Sequence, residues 1–217
     1  VRGSALAAAS RWLYCPRLPN EEGPMGVIDE LPARVRVSRH RLTVEQYHQM
    51  ARAGVLAPDA RVELIEGEII DMAPIGTKHW SAVNRLNDLF TTALHGRAIV
   101  SVQSSIRLGD FSEPEPDLAV FKYRPDFYAE HHPTAADALL VIEVADTTAP
   151  YDRGVKLPLY AKHGIPEVWI VDLEASVVRF FRRPQGDRYL DLTETDKPGP
   201  TPLGALPGVT VDLSGVL

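Results

Sequence analysis

Three charged positions in the middle of the chain have the types to do chemistry together. Asp117 follows Pro116 at the head of "LAVF", Glu143 lies inside "LLVIEVA", and Lys156 sits in "YDRGVKLPLYAKHG". The stretch "ALLVIEVA" reads as a strand buried on both faces, where a lone carboxylate is costly because desolvation disfavours its charged form. If the strands carrying Asp117 and Glu143 are neighbours, their carboxylates repel, and one pKa rises unless a cation sits between them. A divalent metal is the simplest remedy, and oxygen-only ligands favour Mg²⁺ or Mn²⁺ over zinc. Asp152, Lys156 and Tyr160 follow one another at four-residue spacing, which on a helix makes one slowly drifting stripe. From there Lys156 can point back at the strand ends, where its ammonium would hold a water or stabilise charge developing on a phosphate. The stripe requires a helix from Asp152 despite Pro158, a residue tolerated in a first turn and disruptive further in.

The elements that must position these groups follow from the pattern around them. "RLTVEQYHQMARAG" predicts a helix over 41–54, with Thr43 as N-cap, Gln46 completing a capping box and Gly54 as the stop. "RVELIEGEIIDM" predicts two strands joined at Glu66-Gly67. Trp80, Val83, Leu86, Leu89, Phe90 and Leu94 recur at helical spacing in 77–96, and Gly96 ends that helix. Three strands are expected next, "AIVSVQSSIRL", "PDLAVF" and "ALLVIEVA", the last two separated by the loop "KYRPDFYAEHHPTAAD". After the helix carrying Lys156, "EVWIVD" and "VVRFFRR" read as strands, and "RYLDLTE" and "LPGVTVDL" as weaker ones. The order implies a mixed α/β domain with a helix and a β-hairpin in front.

The chain has 217 residues, 45% hydrophobic and 24% charged, enough for one domain with a real core. Its net charge of -6 argues against a broad, nonspecific polyanion binder while leaving room for a local basic groove. Cys15 is the single cysteine, so an internal disulfide or a cysteine zinc cage is excluded, and a reducing cytoplasm is the natural compartment. No run is long and apolar enough to span a bilayer. The proline- and charge-rich start suggests that 1–24 is a weakly ordered extension, with Met25 as a candidate natural start, and that 25–217 is a single domain.

"PEPDLAVF", then "LLVIEVADTT", then "YDRGVKLPLYAKHGIPEVWIVD" resembles the Uma-two type of endonuclease, within the PD-(D/E)xK or restriction-endonuclease-like superfamily. The upstream "RVELIEGEIIDMAPIGTKH" is similar as well, so the resemblance covers roughly residues 40–190. It implies a restriction-endonuclease-like central mixed sheet flanked by helices and a Mg²⁺-dependent phosphodiesterase acting on DNA. Asp117 matches the aspartate of the "PD" pair, and Glu143 the acidic residue of the second motif. The superfamily expects lysine two residues after that acid, where this chain has Ala145; the resemblance implies that Lys156 on the following helix replaces it. It further implies that Asp117, Glu143 and the Val144 carbonyl bind the metal. Glu63, Glu68 and His79 match the family's front hairpin and first long helix, Gln103 lies on the strand before Asp117, and Asp152 and Tyr160 are supporting candidates.

Plainer readings compete for other residues. His131-His132 reads as an ordinary loop before Pro133, Ser104 and Ser105 lack a histidine and acid in any hydrolase arrangement, and "RFFRRPQGDR" reads as a twisted edge strand with solvated arginines. A hydrophobic edge at "VVRFF" would offer a route to a homodimer. The leading expectation is a metal-dependent DNA endonuclease. Its rivals are an inactive interaction module on the same fold and an enzyme cutting RNA or a nucleotide.

Overall fold

The computed structural model describes residues 38–217, and the extension expected over 1–24 lies outside them. His40–Leu217 form one compact unit. The first helix, α1 (Val44–Arg52), begins at Thr43, whose hydroxyl accepts the Gln46 amide while the Gln46 side chain accepts the Thr43 amide. β1 (Val62–Ile65) and β2 (Glu68–Asp71) are antiparallel and joined by Glu66 and Gly67, at φ 48° and 87°. Two successive left-handed residues give the turn whose twist matches a hairpin. Gly67 is required there for space as well, since a Cβ would lie 2.6 Å from Cβ of Arg41.

α2 (Thr77–Leu94) buries Ala82, Val83, Leu86, Phe90 and Leu94. His79 precedes Val83 by four residues and Leu86 by seven, so it extends this face at the helix's N-terminal end. Trp80, expected within the apolar stripe, is instead 63% exposed, because one residue further on turns it about 100° from His79.

A six-stranded mixed sheet follows, in the order β3 (Ala98–Val102), β4 (Leu118–Lys122), β5 (Ala138–Ala145), β6 (Glu167–Asp172), β7 (Val177–Gln185), β8 (Arg188–Thr195). Only β5 and β6 pair in parallel. A parallel pair needs a crossover, and a continuous helical segment provides it: α3 (Ala149–Tyr151), a π turn (Asp152–Lys156) and α4 (Leu157–Lys162). In the π turn the Leu157 amide donates to the Asp152 carbonyl, five residues back. Pro158, next in line, has no amide to lose, and the wider turn relieves the clash its ring would make with a regular helical carbonyl.

The sheet divides the interior in two. Leu140, Ile142 and Val144 of β5, with Trp169 and Val171 of β6, pack on α2; Val141, Ala145, Val168 and Ile170 face Leu159 and Tyr160 of α4. Glu143, alternating with Val141 and Ala145, therefore points to the α4 side. β9 (Pro200–Pro202) and β10 (Thr210–Asp212) form a separate ribbon, whose Val211 joins the α2-side core.

Three strand expectations need correction. "AIVSVQSSIRL" is not one strand: β3 stops at Val102, because Gln103 adopts φ 45° and turns the chain. "LPGVTVDL" contributes only the short β10, outside the main sheet. "VVRFF" is not an edge, since β8 folds back over β7 and leaves it hydrogen-bonded on both sides, with no open edge for a second copy. Three of the four arginines here form ion pairs, Arg179 with Asp172 and Glu194, Arg182 with Glu167 and Arg183 with Asp191, while Arg183 and Arg188 are exposed to solvent as expected. Among the described residues, no helix is long and apolar enough to cross a membrane.

Candidate active site

The site grows from the register of two interior strands. Leu118 of β4 stands opposite Ile142 of β5, so Asp117 and Glu143 come next in line, side by side. Asp117 Oδ2 accepts the Val144 amide at 2.9 Å. Its Oδ1 lies 3.0 Å from His79 Nε2 and 3.4 Å from Gln103 Nε2. The positive φ that ends β3 at Gln103 thus puts that amide beside the carboxylate. His79 arrives from the first turn of α2, and its Nδ1 is buried without a partner.

Glu143 is buried, and its Oε1 accepts the Tyr160 hydroxyl at 2.6 Å. Lys156 Nζ is 3.4 Å from the same oxygen and 3.1 Å from Glu63 Oε2. Asp152 accepts the Thr148 hydroxyl at 2.8 Å. The crossover helix therefore presents Asp152, Lys156 and Tyr160 to the sheet, and Lys156 reaches Glu143 from one helix further along the chain than the superfamily motif places it. A cleft of about 400 Å³ opens on these groups, and Met72, Pro74 and Ile75 also line it.

Carboxylates outnumber cations here. Burial pushes the Glu143 carboxyl up to about 8, with the Lys156 ammonium pulling it down less strongly and the neighbouring Asp152 and Asp117 pushing it further up. Burial also raises Asp152 and Glu115. Lys156 is driven the other way by its surroundings: burial would lower it, but the carboxylates of Glu143, Glu63 and Asp152 outweigh burial and hold it above the ordinary lysine value. The hydrogen bond that His79 donates to Asp117 raises His79 above the ordinary histidine value. A surplus of hard oxygen donors at a partly solvated cleft suits a divalent cation. Among the described residues no three His, Cys, Asp or Glu side chains converge as a ready-made metal set. A cation held here would therefore depend on two carboxylates, a main-chain oxygen and water.

Of the residues singled out in the sequence, Glu63, His79, Asp117, Glu143, Val144, Asp152 and Lys156 come together at the cleft. Tyr160 is not among the cleft's lining and is hydrogen-bonded to Glu143, and Gln103 touches the cleft through Asp117. Glu68 does not join them: it is exposed opposite Ile65 at the turn end of the hairpin, whereas Glu63 stands opposite Ile70. Glu115, Tyr151 and Arg61 line the cleft without having been singled out. The Glu115 amide donates to Glu63 Oε2 at 3.2 Å, and the Tyr151 hydroxyl lies 3.3 Å from Glu63 Oε1. Glu115 carried a signal, standing two residues before Asp117 and so on the same side of an extended chain. Tyr151 did not, since only the π turn puts it and Lys156 on one side of the helix.

The profile of the Uma2 family, described as "Putative restriction endonuclease", matches residues 44–214. No curated protein matches the chain. Among solved structures, a "putative nuclease" from Anabaena variabilis is similar with a TM-score of 0.59, over 76% of this chain and 90% of that one, at 19% identity. That likeness is one of fold. The family match runs from the first residue of α1 past β10 and takes in every residue of the cleft, so the chain belongs to the Uma2 family and carries its nuclease-like scaffold.

Proposed function

We propose that this protein is a Mg²⁺-dependent endonuclease that hydrolyses DNA phosphodiester bonds at the cleft. The observation that carries the reading is the pairing of Asp117 and Glu143 on neighbouring strands, with Lys156 delivered to Glu143 by the crossover helix. Asp117, Glu143 and the Val144 carbonyl would hold the cation. Bound there, Mg²⁺, or Mn²⁺ in its place, supplies charge shielding for phosphate and a lowered pKa for water. The chain's own groups do the rest. Tyr160 fixes Glu143 Oε1, and His79 and Gln103 fix Asp117 Oδ1. Glu63 holds Lys156, which orients the attacking water or steadies charge on the phosphate. The lone Cys15 fits a reducing cytoplasm.

A second reading, a non-catalytic interaction module, is favoured by one fact: the Lys156 ammonium is engaged by both Glu63 and Glu143. One experiment separates the two. Supercoiled, linear, branched and single-stranded DNA are incubated with the protein, with and without Mg²⁺ or Mn²⁺. Metal-dependent cleavage leaving 5′ phosphates, abolished in Asp117→Ala and in Glu143→Ala, is expected. An inert protein that also binds no metal in titration calorimetry leaves the module.

A further inference from the structure

The six-stranded sheet has two edges, β3 and β8, and they differ. β3 is five residues long, half-buried over most of its length, and carries no charge that could set a register. β8 is eight residues long, and among the described residues no strand pairs with its outer side. Leu190 is 50% exposed there and Leu192 57%. Among the described residues no other strand of the sheet exposes a large apolar side chain to that degree. An open edge of this kind is a template for another strand.

The charges on β8 select that strand. Arg188 is exposed, and no carboxylate among the described residues pairs with it. Glu194 gives Oε2 to Arg179, while its Oε1 has no partner among the described residues. Let two copies of β8 run antiparallel about a two-fold axis at Asp191. Arg188 then stands opposite the second copy's Glu194, and Leu190 opposite its Leu192. Symmetry repeats both pairs, so one strand supplies two ion pairs and two leucine contacts. A shift of one residue either way sets Leu190 against Thr193 or Asp191 and Arg188 against a threonine. The two Asp191 carboxylates meet on the axis, but each is already neutralised by Arg183 of its own chain, through a hydrogen bond of 2.6 Å.

We propose that β8 is an interaction surface for β8 of a second copy of this chain, joining the two six-stranded sheets into one. Main-chain hydrogen bonds hold the edges together, and the charges and leucines fix the register. The pairing is independent of the nuclease reading. Three strand spacings separate β5 from β8, so the two β5 strands lie seven spacings, about 34 Å, apart. Each cleft is therefore complete within its own chain.

Sedimentation equilibrium of the full chain at micromolar concentrations tests the pairing. A dimer is expected, and it should weaken as salt rises, because both ion pairs lie at the surface. Arg188→Glu and Glu194→Lys are each expected to weaken it about tenfold or more, since each sets like charges opposite one another. An equimolar mixture of the two variants is expected to restore the dimer, because the exchanged charges again face their opposites. A Leu190→Lys, Leu192→Lys double variant is expected to be monomeric. All four side chains are exposed, and a near-ultraviolet circular dichroism spectrum like the parent's confirms that the variants fold. A parent chain that sediments as a monomer, a dimer that survives the double leucine variant, or a mixture that stays monomeric overturns the proposal.

Discussion

Two glutamates are buried in the central sheet, on adjacent strands, and they are treated in opposite ways. Glu167, at the start of β6, accepts the Trp169 indole and the Arg182 guanidinium, both at 2.7 Å, and the Gly204 amide at 2.8 Å. Its charge is met by a cation and its lone pairs by donors, and a Cβ on Gly204 would come within 3.0 Å of it. Glu143, in the middle of β5, has one hydroxyl donor and a share in a lysine that also serves Glu63. The first network is closed and ties the chain after β9 to the sheet. The second is left short of positive charge and faces a cleft. Burial of a carboxylate does not by itself mark a site; incomplete neutralisation beside open space does.

The widest gap between the two should appear on substitution. Glu143→Gln keeps an acceptor for Tyr160 and removes the charge, so Mg²⁺-dependent cleavage is expected to fall about 1,000-fold or more while the fold survives. Retained cleavage would erase the distinction. Arg182→Ala should do the reverse, costing about 3 kcal/mol of unfolding free energy by stranding Glu167, with the rate of surviving folded enzyme unchanged. Chemical denaturation beside single-turnover kinetics reads both variants.

Proton linkage offers a third contrast. The folded Glu143 carboxyl is raised to about 8 from an ordinary 4.5, so the folded state holds its proton more tightly than the unfolded chain. This contribution to stability is complete below the unfolded value and is lost as pH rises through the folded one. Without divalent cations, stability should fall across that window by up to about 1.4 kcal/mol per pH unit. Glu143→Gln should flatten the profile. The smallest effect is expected for Tyr160→Phe, about 1 kcal/mol for the lost hydrogen bond to Glu143. A larger loss would mean that Tyr160 holds more of the α4 face together than this one contact.

The legibility of these features in the sequence tracks how local they are. The capping box at Thr43, the Glu66-Gly67 turn and the two-face burial of "ALLVIEVA" depend on neighbours within a few residues, and each could be read directly. Asp117 beside Glu143 needed the two strands to be neighbours, a condition their apolar runs suggested and the β4–β5 pairing meets. The pattern misled where a single backbone angle decides, as at Gln103, whose positive φ shortens β3. It misled again where pairing is non-local, as with β8 covering what read as an edge. Pro158 pointed to a break in the helix. The π turn before it resolves that conflict and also brings Tyr151 to Glu63, a contact with no periodic signature.

The strand order has a consequence for how the activity comes into being. Glu63 arrives on a hairpin, Asp117 close to the start of β4, Glu143 on the strand paired with it, and Lys156 on the crossover that joins the parallel β5–β6 pair. The Tyr151–Glu63 contact alone closes a span of 88 residues. Such long-range closures come late in folding, because chain entropy must be spent before they reward it. A nascent or half-folded chain of this kind has its carboxylates and its lysine in separate places. On the proposed nuclease reading, the molecule would acquire the power to cut only at the last step of becoming itself, a safeguard for the cell that makes it, written into topology rather than into an inhibitor.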